Sequence, residues 1–154
     1  MTVTITIQRA QVLADMKVTS HAEVASIEDA KARYKAEAGT EKNQQLHQCI
    51  VDAVADAEAI VRPFISGAAD GTANDEYSST GDFTFTLEVT PRKAAGLAAP
   101  LARALHKFIV NVALSSFYRG VNQPGLAAAH DGARARDTQA IENLIYHRAA
   151  PSQS

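Results

Sequence analysis

The stretch "LARALHKFIVNVALSSFY", residues 101–118, decides the fold of this chain. Between Phe108 and Leu114 it is apolar almost all the way round, where a surface helix would keep one face polar. Such a helix has to be enclosed on several sides, so the pattern predicts a central helix with other elements packed about it. The misfit is Asn111, a polar amide inside "FIVNVAL". Leaving a buried amide unpaired costs about 1–3 kcal/mol, so Asn111 is expected to find a partner and fix the helix register.

The neighbouring helices follow from periodicity. In "TEKNQQLHQCIVDAVADAEAIVRPF", Leu46, Ile50, Ala53, Ala57, Ile60, Val61 and Phe64 recur at spacings of three and four, with Asp52, Asp56 and Glu58 off the stripe. That spacing predicts an amphipathic helix of about six turns, ended or kinked at Pro63 because the ring removes a donor and crowds the preceding turn. Gly120 marks a stop and Pro124 a start, and "LAAAHDGARARDTQAIENLIYHRAA" predicts a last helix through Leu126, Ala129, Ala133, Ala140, Ile141 and Leu144. Near the N-terminus, residues 9–39 predict one or two helices. Thr19 or Ser20 followed by Glu23 resembles a capping box that restarts a helix, and Ile27–Ala38 reads as a solvated helix or a connection ending at Gly39.

Two short runs have a different period. "TVTITIQ" alternates Val3, Ile5 and Ile7 with Thr2, Thr4, Thr6 and Gln8; "FTFTLEVT" alternates Phe83, Phe85, Leu87 and Val89 with Thr84, Thr86, Glu88 and Thr90. Each predicts a strand with one wet face. They pair with each other or are lent to another molecule. Before the second lies "SGAADGTANDEYSSTG", residues 66–81, a polar loop with three glycines, longer than compact domains usually carry. The whole reads as a mainly α protein: one domain over residues 1–154, a helical bundle of about four helices with one or two short β-strands, and a tail, 151–154, that frays.

Composition narrows the class. Hydrophobic residues make up 46% and charged residues 21%, values of a globular protein rather than a disordered chain. Aromatics are 6% and Trp is absent, which predicts a thin core of small and aliphatic side chains that gains from burial against a partner, and so an oligomer. A single cysteine, Cys49, excludes an internal disulfide and a cysteine zinc cluster. No charged leader precedes an apolar block and no run is long enough to span a bilayer, so a protein that is cytosolic or assembled in a cytosol, with no membrane partner, is expected. Residues 1–91 carry 7 Lys or Arg against 14 Asp or Glu, and residues 92–154 carry 8 against 3, net −7 and +5. Folding is expected to interleave the two halves; the competing reading sets faces of opposite sign for head-to-tail contact.

Motifs of catalysis are missing. There is no Gly-rich phosphate loop, His-Glu-x-x-His metal motif or Gly-x-Ser-x-Gly elbow, and the five histidines, at 21, 47, 106, 130 and 147, never fall three or four apart. No enzyme, metal or cofactor is expected. The competing enzyme reading would use His47 or His106 with a carboxylate such as Asp52. A second alternative is a small helical nucleic-acid-binding or regulatory module using Arg134, Arg136 and Arg148, although no aromatic platform is interleaved with them.

The order of elements, with "DAEAIVRPFISG" closing one helix and "LARALHKFIVNVALSSFYRG" forming another, resembles the small head-tail connector (adaptor or neck) proteins of tailed bacteriophages and is similar to virion-associated proteins of Bacteroidetes phages. The resemblance covers most of residues 2–148 and is strongest over 46–66 and 101–119. It implies a virion structural protein, assembled in the host cytoplasm as a homo-oligomeric ring, typically twelve-fold, that meets the portal protein on one side and tail or neck proteins on the other, with packaged DNA nearby. On that reading the expected interface residues are Phe83, Phe85, Leu87 and Val89 on the strand, Arg92 and Lys93 at its exit, and Asp70, Asp75 and Glu76 on the loop. Proline in place of Thr86 would then impair assembly more than folding if that strand pairs between chains.

Overall fold

The computed structural model describes residues 1–65 and 81–146. Among these the chain runs β1 (Thr2–Ile7), α1 (Arg9–Val24), α2 (Ala30–Ala36), α3 (Asn43–Val61), β2 (Phe83–Glu88), α4 (Pro91–Ala94), α5 (Ala98–Gly120) and α6 (Pro124–Tyr146), with single 3₁₀ turns at Thr40–Lys42 and Arg62–Phe64. The protein is mainly α, with a bundle of four long helices, α1, α3, α5 and α6, and one two-stranded sheet. The predicted loop at 66–81 lies outside the described residues except for Gly81, and so does the tail.

Helix α5 is the hub, packing on α6, α3, α1 and β1. Leu101, Leu105, Phe108, Ile109, Leu114, Phe117 and Tyr118 are all buried along it. Close approach of its neighbours comes from small residues: Ala53, Ala57 and Ala113 are fully buried. The core is not as thin as composition suggests, because Phe83, Phe85, Phe108, Phe117 and Tyr118 are all placed inside it. A low aromatic count says nothing about where the aromatics go.

The helix ends have local causes. Helix α3 gives way to a 3₁₀ turn carrying Pro63. Beyond α5, Asn122 takes a φ of 60°, a left-handed conformation that Asn tolerates, while Gln123 N–H donates to Tyr118 O at 2.8 Å. The chain then turns into α6. Thr90 caps α4, its side chain accepting from Lys93 N–H.

Two local expectations are corrected. Helix α1 runs unbroken through Thr19 and Ser20. Instead of capping, buried Ser20 accepts from Ala38 N–H at 2.9 Å, and Glu23 reaches across to α6. On α6 the buried residues are Ala127, His130, Ile141 and Ile145, whereas Ala129 and Ala140 are exposed. Methyl groups are too small to set a face, so His130 and the ends of the helix orient it. The connection from α1 to α3 contains α2, capped by Asp29 accepting from Lys31 N–H at 3.1 Å. Lys42 Nζ collects the carbonyls of Tyr34, Lys35 and Glu37 at 2.6–2.8 Å beyond its end.

Strands β1 and β2 pair antiparallel within the chain, Val3 opposite Leu87, Ile5 opposite Phe85 and Ile7 opposite Phe83. Val89 N–H donates to Met1 O at 2.9 Å. Since antiparallel ladders alternate bonded and unbonded pairs, the odd-numbered residues of both strands hold the ladder, and the even-numbered ones aim their N–H and C=O groups outward. Thr86 N–H therefore points away from β1, so proline there spares the ladder. Ile65 bridges to Leu87 on that outer side of β2.

Core packing makes a direct prediction. Replacing Leu105, fully buried, by alanine should cost about 2–5 kcal/mol in urea-induced unfolding, whereas Val18→Ala, at a site 71% exposed, should change stability by about 0.5 kcal/mol or less.

Candidate functional site

Two hollows run along the seam between α1 and α5, sharing Asp15, His106 and Lys107 as common wall. The larger, about 400 Å³, begins at the end of β1 and is lined further by Thr6, Ile7, Gln8, Gln11, Ala102 and Arg103. The smaller, about 220 Å³, continues past Val18, Thr19, Val110 and Asn111. Together they form an open trough. Arg103, His106 and Lys107 reach it because residues three and four apart share one face of a helix. Asp15 and Thr19 come from α1 and Thr6 from β1.

Charge in the trough is uneven. Asp15 is fully engaged: Gln11 Nε2 donates to its Oδ1 at 3.1 Å and His106 Nε2 meets its Oδ2 at 2.5 Å. Arg103 and Lys107 are exposed and make no ion pair among the described residues. The trough thus presents two uncommitted cations beside a carboxylate already held. At its β1 end, Thr2, Thr4 and Thr6 are exposed, and their outward backbone groups meet no other backbone among the described residues.

A buried polar network holds the trough's helices to α6. His130, 8% exposed, stands between Glu23 of α1, with Nε2 at 2.8 Å from Oε1, and Asn111 of α5, with Nδ1 at 2.8 Å from Oδ1. Asn111 Nδ2 donates to Asp137 Oδ2 at 2.6 Å, which gives this amide its register-fixing partners. The Tyr118 ring stacks on His130 with centroids 5.7 Å apart, and its hydroxyl donates to Glu23 at 3.3 Å. Burial first, then the Glu23 carboxylate, push the Tyr118 phenol up to about 12, outweighing a hydrogen bond with Ser20 that acts the other way. Nearby, Asp131 accepts from Ser115 at 2.7 Å and pairs with Arg119. The Ser115 bond is the main reason the Asp131 carboxyl lies below its usual range.

The residues singled out from sequence separate into groups. Phe83, Phe85, Leu87 and Val89 are buried in the chain's own core. Arg92 is exposed, Lys93 is half-buried with its ammonium 5.9 Å from the Phe64 ring centroid, and Asp70, Asp75 and Glu76 lie outside the described residues. Arg134 is drawn to Asp56 at 3.4 Å and lies over Phe108, Arg136 is exposed, and Arg148 lies outside the described residues.

His106 does meet a carboxylate, although it is Asp15 rather than Asp52. His47 has a buried Nδ1 with no hydrogen-bond partner among the described residues; desolvation, followed by Arg9 and Lys17, lowers its affinity for a proton. Burial raises the Cys49 thiol, which suits packing. Among the described residues no group of three His, Cys, Asp or Glu could hold a metal ion, and no helix is long and apolar enough to cross a membrane. Asp15 and Glu23 carried no signal in one dimension, since their partners are about ninety or more positions away. No family model, curated protein or solved structure matches the chain.

Two outcomes test the network. His130→Ala should destabilise the fold by about 1–3 kcal/mol in denaturant titration, because Asn111 and Glu23 lose a buried partner. Tyr118 has a folded-state value above that of the unfolded chain, so its contribution is complete below about pH 10 and is lost as pH rises towards about 12. Tyr118→Phe should flatten that part of the alkaline unfolding curve.

Proposed function

We propose that this chain is a structural subunit of a tailed-bacteriophage head-tail connector, forming a ring between portal and tail. The reading is supported by a mainly α bundle whose element order follows the resemblance, and is carried by one observation: among the described residues the outer edge of β1 pairs with no other strand, while the core is closed. An exposed edge of uncharged β-branched residues invites pairing with another chain, and proteins that are not meant to assemble usually blunt such edges with Lys, Pro or a bulge. Here the strand carries none of these over Thr2–Ile7.

Charge does not dictate how copies meet. The acidic and basic halves meet inside the subunit through the Asp56–Arg134 ion pair and the Asp15–His106 and Glu23–His130 hydrogen bonds, so contact between copies does not rest on two faces of opposite sign. Repeated heterologous contacts close into a ring when their rotation divides the circle.

Electron microscopy of the native particle, with mass spectrometry of its proteins, is the test. The chain should be found as a ring, twelve-fold on the connector reading, below the portal; its absence from purified particles would overturn the reading.

A further inference from the structure

We infer that the outer edge of β1 and the adjoining α1–α5 trough form one docking site for an extended, acidic segment of a neighbouring protein. The inference deepens the connector reading and rests on it for the neighbour being an assembly partner; the chemistry of the site stands on the geometry.

The edge supplies the backbone half of the site. Even-numbered residues of β1 face away from β2, so Thr2, Thr4 and Thr6 offer three N–H donors and three C=O acceptors in one line. An added strand satisfies them and extends the sheet, the arrangement by which main-chain bonds supply affinity and alternate side chains supply selectivity. Beside Thr6 and Ile7 the trough opens, with Ala102 on its wall, so side chains of the added strand that point inward meet an apolar lining. Past it stand Arg103 and Lys107, the cations without ion-pair partners among the described residues, next to an Asp15 already occupied by His106 and Gln11. A carboxylate on the incoming segment completes that charge balance.

The same charges argue against the β1 edges of two copies pairing with each other. Two β1 strands paired about a two-fold axis would bring together uncharged segments, leaving Arg103 and Lys107 unmatched on both sides. Glu88, on β2, is exposed, but the outer side of β2 is the one bridged by Ile65.

The experiment uses the purified full chain and a display library of random peptides about eight residues long. Selected binders should alternate β-branched or apolar residues with polar ones and carry Asp or Glu, and bound peptide should slow amide exchange at Thr4 and Thr6. Thr4→Pro removes an outward donor while sparing the β1–β2 ladder. It should keep the wild-type melting temperature within a few degrees yet bind about tenfold more weakly, the worth of one strand hydrogen bond. Lys107→Glu, which leaves the backbone untouched, should shift selection away from acidic peptides even if the proline variant misfolds. Selection of basic peptides, full affinity in a folded Thr4→Pro variant, no binders at all, or concentration-dependent protection of the Thr4 amide without peptide would each overturn the inference. None of these bears on whether the chain is found in the particle, so failure here and failure of the connector reading are separate results.

Discussion

Everything in this molecule is arranged around the need to enclose α5. Between Phe108 and Leu114 it has no continuous polar face, and Leu101, Leu105, Phe108, Ile109, Val112, Leu114, Phe117 and Tyr118 are buried along it. At about 25 cal/mol for each Å² of apolar surface removed from water, exposing such a helix would cost more than most domains have to spare. Three long helices and a sheet therefore surround it, with Ala53, Ala57 and Ala113 letting backbones approach. That close approach leaves room for five aromatic rings in the same core.

Enclosure alone leaves helices free to slide, and the buried polar groups remove that freedom. Asn111 lies on α5 facing His130 and Asp137 of α6, and His130 in turn holds Glu23 of α1. Hydrogen bonds demand particular positions in a way that apolar contact does not, because a misregistered polar group stays buried and unpaired. Helix α6 shows the consequence. Its middle is poor in large apolar residues, and it is seated by His130 and Asp137 together with Ile141 and Ile145. The Asp15–His106 hydrogen bond and the Asp56–Arg134 ion pair join the acidic first half of the chain to the basic second half.

The sheet obeys the same logic with a different result. Its inner face, Val3, Ile5 and Ile7 with Phe83, Phe85 and Leu87, belongs to the core. Its outer face is largely threonine, and β1 ends the sheet on one side. A two-stranded ribbon is marginal by itself, so its order depends on packing against α5. The arrangement secures the side chains of both strands inside the core, while the even-numbered backbone groups of β1 turn away from β2.

Periodicity by itself determined the fold class, the central helix, the stops at Pro63 and Gly120 and the two strands, because each is a local consequence of where apolar groups and special backbones recur. It was misleading where local signals competed with distant ones: Ser20 and Glu23 have the spacing of a cap, but their partners are Ala38 and His130. The pairing of β1 with β2, the meeting of Asp15 with His106 and the outward direction of the Thr4 amide were decided only by tertiary structure. Contacts between residues eighty or ninety positions apart depend on how the whole chain packs, and no local pattern records them.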